Sequence, residues 1–161
     1  MTKLTHLDDQ GAAHMVDVSH KERTVRQATA RGTLELPESV RAQLLDGNLP
    51  KGDALSVARL AAIGGSKKTA DLIPLCHPLL IDQIAVEFEP VSTGIRIQVT
   101  VRCTGRTGVE MEAMTGCSVG LLALYDMVKG VAREARIGAI ELTQKEGGKS
   151  GTWQRSITDK D

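Results

Sequence analysis

Several short stretches of this chain carry side chains able to move protons or hold charge. In "DLIPLCHPLL" (Asp71–Leu80), His77 lies between Pro74 and Pro78. Each proline fixes its own φ and pushes the preceding residue toward an extended conformation, so the segment from Ile73 to Pro78 is predicted to be stiff and extended. Such a segment holds an imidazole at a set place and angle. That suits a site, but residue type alone favours a core turn whose histidine meets a carbonyl. "TGVEMEAMT" from Thr107 supplies Glu110 and Glu112, "YDMVK" from Tyr125 supplies Asp126 and Lys129, "PKGDALS" supplies Lys51 and "EGGKSGT" supplies Lys149. Carboxylates, lysines and one restrained imidazole are the set on which acid–base chemistry draws.

Lys51 precedes a predicted helix N-terminus, where the macrodipole disfavours a cation. Either an anionic ligand sits between them or Lys51 is a solvated loop lysine. "EGGKSGT" ends like a P-loop, but the earlier glycine falls at Thr143 and too little chain follows Ser150 for the required helix. A glycine loop remains, with Lys149 able to fold over an anion. A metal or nucleophile reading finds little support. Cys76 and His77, adjacent in an extended segment, are predicted to point to opposite faces, and no zinc-finger spacing occurs. His6, His14 and His20 lie in or near an N-terminal arm.

The elements that position these groups follow from periodicity. "TVRQATARGTLEL" alternates, with Ala28, Ala30, Leu34 and Leu36 on one face, and predicts a strand over Thr24–Leu36. Pro37 opens a short helix, "ESVRAQLL", ending near Gly47. Asp53 caps a second, "ALSVARLAAI", with Gly64 as its left-handed stop. "IAVEFE" and "GIRIQVTVRC" are alternating strands joined by "PVSTG". A long helix is predicted from about Gly108 to Ala135, with Thr107 and Glu110 as a capping box, followed by a strand near "GAIELTQK". On that helix Asp126 lies about 40° from Glu112 and Lys129 about 60° further, giving one polar stripe; an i, i+3 ion pair is the plain alternative for the last two. Glu112 and Asp126 are also about 21 Å apart along the axis, so a small ring reaches both only if a second subunit supplies one. The middle, "AMTGCSVGLLAL", is small and apolar on nearly every side, as a buried helix is.

Length, charge and cysteines bound the rest. The 161 residues suggest a single domain over 1–161, with a loose arm over about 1–14 and a mobile tail over about 146–161. Lys plus Arg and Asp plus Glu balance at 20 each, and there is one each of Trp, Tyr and Phe, which disfavours nucleic acid and acidic membranes as partners. The three cysteines form no C-x-x-C pair, and no apolar run approaches membrane length, so a soluble cytoplasmic α+β domain with an antiparallel sheet is expected.

"MVDVS" at Met15–Ser19, "KGD" at Lys51, "DLIPLCHPL", "TGVEMEAMT", "YDMVK" and "GGKSG" from Gly147 occur in that order. Together they resemble the cyclic pyranopterin monophosphate synthase family of molybdenum cofactor biosynthesis, over the chain from the arm to Gly151. The helix middle departs from the more alanine-rich family form. The resemblance implies a ferredoxin-like fold with helices on one face of the sheet, a hexamer built as a trimer of dimers, and active sites at subunit interfaces. It implies a lyase that takes cyclised dihydro-GTP from an upstream radical enzyme and releases pyrophosphate as the pyranopterin and its cyclic phosphate form. It implies Asp126 as the principal catalytic residue, with Lys51 and Lys129 as acid–base partners. Leu75, Cys76, His77, Met111 and Glu112 would contact substrate, and Lys149 would hold phosphate. No cofactor and no metal site is expected, beyond a magnesium ion (Mg2+) accompanying the triphosphate. A lysine pKa lowered by burial beside other cations would suit the chemistry. The rival reading is a non-catalytic nucleotide-binding oligomeric module, which has no need of an Asp126–Lys129 pair.

Overall fold

Alternation sets the centre of the fold. β1 (Thr24–Glu35) places Ala28, Ala30 and Leu34 on one face, all buried. β3 (Gly94–Gly105) does the same with Ile95, Ile97, Val99, Val101 and Cys103. The two strands are antiparallel in a register that opposes Ala28 with Val101 and Leu34 with Ile95, so their apolar sets share one side. The computed structural model describes residues 7, 8, 10–149 and 151–156. Parts of the expected arm and tail, including Ser150, lie outside those residues.

α1 (Glu38–Leu45), α2 (Ala54–Lys67) and α3 (Thr69–Leu72) lead from β1 to β2 (Ile81–Val91), and a tight turn joins β2 to β3. α4 (Glu110–Val128) then leads to β4 (Arg136–Ile137), β5 (Glu141–Glu146) and β6 (Trp153–Gln154). The sheet order is β2-β3-β1-β5-β6, with β4 beside β1, and its pairings are antiparallel. α2 and α4 cover the apolar face. The opposite face carries polar cross-strand pairs: Thr29 with Thr100 at 2.9 Å, Arg31 with Glu141 at 2.9 Å and Gln98 with Glu87 at 3.0 Å.

Small residues let the two helices and the sheet approach closely. On α2, Ala58, Ala62, Gly65 and Ser66 are buried. A Cβ on Gly65 would stand 2.7 Å from Val119 Cβ, and one on Gly120 would stand 2.6 Å from Ile97 Cδ1. This packing explains why α2 does not stop at Gly64 as expected. Neither Gly64 nor Gly65 has positive φ, and the helix contact outweighs the cost of about 1 kcal/mol per glycine. Asp53 does cap the helix, accepting the Ser56 N–H at 3.0 Å.

Three further expectations are corrected. The Thr107–Glu110 capping box is absent: Val109 is the N-cap and makes no side-chain bond. α4 ends at Val128 instead of Ala135, because the chain must turn to bring Arg136 and Ile137 beside β1. Ile73–Pro78 is not extended throughout, since Cys76 N donates to Ile73 O at 3.0 Å in a turn with Pro74 inside it. Within the expected tail, Trp153 and Gln154 pair with β5.

Candidate active site

The C-terminal end of α4 gathers Lys51, Asp126 and Lys129. Lys51 Nζ donates to Asp126 Oδ2 at 2.9 Å and to the Asp126 carbonyl at 2.7 Å. Lys129 Nζ stands 2.6 Å from Asp126 Oδ1. The dipole conflict anticipated for Lys51 is therefore resolved within the chain, because its ammonium reaches the carbonyl end of α4, where a cation is favoured. The hydrogen-bonded Lys129 ammonium, with Lys51 second, holds the Asp126 carboxyl down at about 2. Asp126 in turn raises the Lys129 ammonium. That corrects the expectation of a lowered lysine for Lys129: it is gripped by a carboxylate, and burial opposes the upward shift only weakly.

The other end of α4 is built differently. Glu112 is only 4% exposed, so it does not share an open stripe with Asp126. It borders a cavity of about 230 Å³ together with Leu75, Cys76, His77 and Met111. Burial raises the Glu112 carboxyl, and neighbouring Glu110 adds to the shift. Cys76 and His77 border the same cavity instead of opposite faces, because the chain bends after Pro74. Burial, with Glu112 adding, raises the Cys76 thiol, which leaves it a poor nucleophile.

Next to this space lies a cavity of about 810 Å³ bordered by Lys21, Arg26, Arg106, Lys145 and Lys149. Gly147 and Gly148 have φ of +97° and +71° and bring the Lys149 loop down onto β1. Glu110 borders both cavities and pairs with Lys145 at 3.4 Å. Its spacing from Thr107 predicts only a cap. Sequence reading also passed over Lys21, Arg26, Arg106 and Lys145. Arg26 had a signal: it continues the face of Ala28 and Ala30 yet is charged; in the structure its Nε is buried without a hydrogen-bond partner among the described residues. Lys145 is opposite Ala28 in the β1–β5 register.

The structure thus gathers Leu75, Cys76, His77, Met111 and Glu112 at one end of α4 and Lys51, Asp126 and Lys129 at the other, with Lys149 beside the first group. Among the described residues, no three His, Cys, Asp or Glu side chains converge as a metal site requires, and no helix is long and apolar enough to cross a membrane.

The MoaC family profile matches residues 15–148. The chain belongs to the MoaC family. It is 52% identical over 153 residues, 94% of this chain and 93% of the relative, to the cyclic pyranopterin monophosphate synthase of Brucella ovis. The same identity and coverage relate it to the Brucella abortus (strain 2308) protein of that name. The Brucella canis protein is 51% identical over the same span. The profile match runs through both ends of α4 and stops just before Lys149.

Proposed function

We propose that this MoaC-family chain is a lyase of molybdenum cofactor biosynthesis, forming cyclic pyranopterin monophosphate from cyclised dihydro-GTP with release of pyrophosphate. The observation that carries the reading is the grip of two lysines, from separate elements, on one carboxylate. A protein that only binds nucleotides needs cations for phosphate but not this Lys51–Asp126–Lys129 arrangement. The names of the relatives favour the same activity.

The residue types fit the required steps. Opening the purine and closing the pterin ring calls for successive proton transfers. Lys129 and Lys51 lie on the two oxygens of the Asp126 carboxylate, where each can exchange a proton with a substrate held beside them. To close the cyclic phosphate, a sugar hydroxyl attacks the α-phosphorus and loses its proton as the bond to pyrophosphate breaks. Cations beside the departing oxygens stabilise that charge. The cavity bordered by Arg26, Arg106, Lys145 and Lys149 suits the triphosphate, and the His77–Glu112 cavity suits the base.

The site, on this reading, is shared between copies. Glu112 and Asp126 lie on one helix about 21 Å apart. Between and beside them the outer helix surface exposes Leu60 (71%) and Leu122 (59%), apolar area that a second copy would cover. Two-fold packing there brings Glu112 of one chain toward Asp126 of another and is compatible with a trimer of dimers. The order βαββαβ with β2-β3-β1-β5 neighbours supports a ferredoxin-like description. Incubation with the cyclised nucleotide tests the activity: pyrophosphate and a fluorescent oxidised pterin are expected, and tight binding without either product would leave only a binding module.

A further inference from the structure

Residues 14–23 approach β1 along the rim of both cavities at the N-terminal end of α4. Val16 and Val18 are half-buried and border the His77–Glu112 cavity, as does Lys21. His20, Lys21 and Glu22 border the basic cavity. One short segment therefore helps wall two spaces. From residue 14 to residue 21 its own hydrogen bonds are local: Ser19 N to Asp17 Oδ1 at 2.8 Å and Lys21 N to Val18 O at 3.0 Å. Among the described residues, the backbone N–H groups of Val16, Asp17 and Val18 make no bond to the body of the fold. A segment so lightly tied opens at a free energy well below that of global unfolding.

Where the segment meets β1, Arg23 Nη2 donates to the Thr104 carbonyl at 3.0 Å; the tie nearer the cavities is the informative one. Arg106 Nε donates to the Lys21 carbonyl at 3.1 Å, and Arg106 borders the basic cavity along with Arg26. The residue that holds the segment down is thus also a cation of that cavity. A multivalent anion seated among Arg26, Arg106 and Lys149 gains a further charge-assisted bond from Lys21 only while the segment is closed. By that differential contact, the anion favours the closed state.

We propose that residues 15–21 form a strap that shuts over the His77–Glu112 cavity when a polyphosphate fills the neighbouring basic cavity, with Arg106 as the latch between them. The proposal rests on the reading of the basic cavity as a phosphate seat. In this scheme the phosphate end of a ligand commits the ring end: Val16 and Val18 close on the ring because the phosphates have arrived.

Hydrogen exchange of the full chain, read by mass spectrometry on the peptide spanning residues 14–22, tests this with inorganic pyrophosphate as the probe. Binding is followed separately by calorimetry. Saturating pyrophosphate should slow exchange in that peptide by about tenfold or more, while α1 is unchanged. Arg106→Gln should speed exchange of the same peptide without pyrophosphate. Lys21→Met, which keeps the backbone carbonyl on Arg106, should leave that basal exchange alone and reduce the protection. Binding heat without protection would overturn the strap and leave the phosphate seat standing. Neither heat nor protection would remove the seat and the coupling with it. Unchanged basal exchange in Arg106→Gln would remove the latch.

Discussion

Gly116→Ala tests whether the close packing of α4 sets the geometry of both ends of the candidate site. A Cβ at Gly116 would run into Ser66 Oγ and lie 3.0 Å from the Ala62 carbonyl oxygen and 3.2 Å from Val99 Cγ1. Ser66 is 1% exposed and its hydroxyl has no hydrogen-bond partner among the described residues. Overpacking of this kind costs about 2–3 kcal/mol, and the gain of alanine over glycine in a helix offsets about 1 kcal/mol. The net loss is about 1–2 kcal/mol, or about 2–8 °C in Tm for a chain of this size. Ser66→Ala removes both the obstruction and an unpartnered buried hydroxyl, so the double variant should return to the parent Tm or exceed it. Displacing α4 by even about 1 Å should also cost turnover by tenfold or more well below Tm, recovered in the double variant. Thermal unfolding at fixed protein concentration and pyrophosphate release give the two readouts. An undiminished Tm in Gly116→Ala, or no rescue by Ser66→Ala, would refute the packing argument.

Glu112→Gln should raise Tm at neutral pH, with the gap over the parent closing toward pH 4.5. A carboxyl raised by burial from its ordinary 4.5 is compatible with folding below that value, and stability falls as rising pH ionises it in the folded state. A gap independent of pH would show that ionisation at Glu112 is not strained. Lys149→Ala should raise KM by about tenfold through a lost charge-assisted contact while Tm moves by no more than about 2 °C. A large fall in Tm would make its loop a structural element. Glu112→Ala and Asp126→Asn should each fold but be nearly inactive, and mixing them under subunit exchange should restore up to about a quarter of the sites for random two-fold pairs. Exchange confirmed by mass without any recovered activity would place each site within one chain.

Local pattern made much of the fold legible. β1 and β3 alternate cleanly, Pro37 precedes α1, and Asp53 caps α2 as its side-chain chemistry requires. Gly64 misled because a glycine reads the same whether it ends a helix or lies within one; it is the next residue, Gly65, packed against Val119 more than fifty positions away, that keeps the chain helical past it. Thr107 and Glu110 have capping-box spacing, yet Lys145 on a distant strand holds the carboxylate. The lysines at the end of α4 were visible as types, but their convergence on Asp126 depends on the turn after α1. The basic cavity was the least visible. Its cations come from the segment before β1, from β1 itself, from the turn after β3 and from the end of β5, and the balanced total charge conceals their clustering.

Because α4 carries Glu112 near one end and Asp126 near the other, it acts as a ruler between the two carboxyl groups. Inserting one residue between them would advance Asp126 by about 1.5 Å and rotate it by about 100° about the axis. That would carry the carboxylate away from Lys51, which is fixed by another part of the chain. An insertion of seven residues would nearly preserve the direction of Asp126 but lengthen the interval by about 10 Å. No small change in helix length keeps both direction and distance, so this stretch tolerates substitution of its side chains far better than any change in their number.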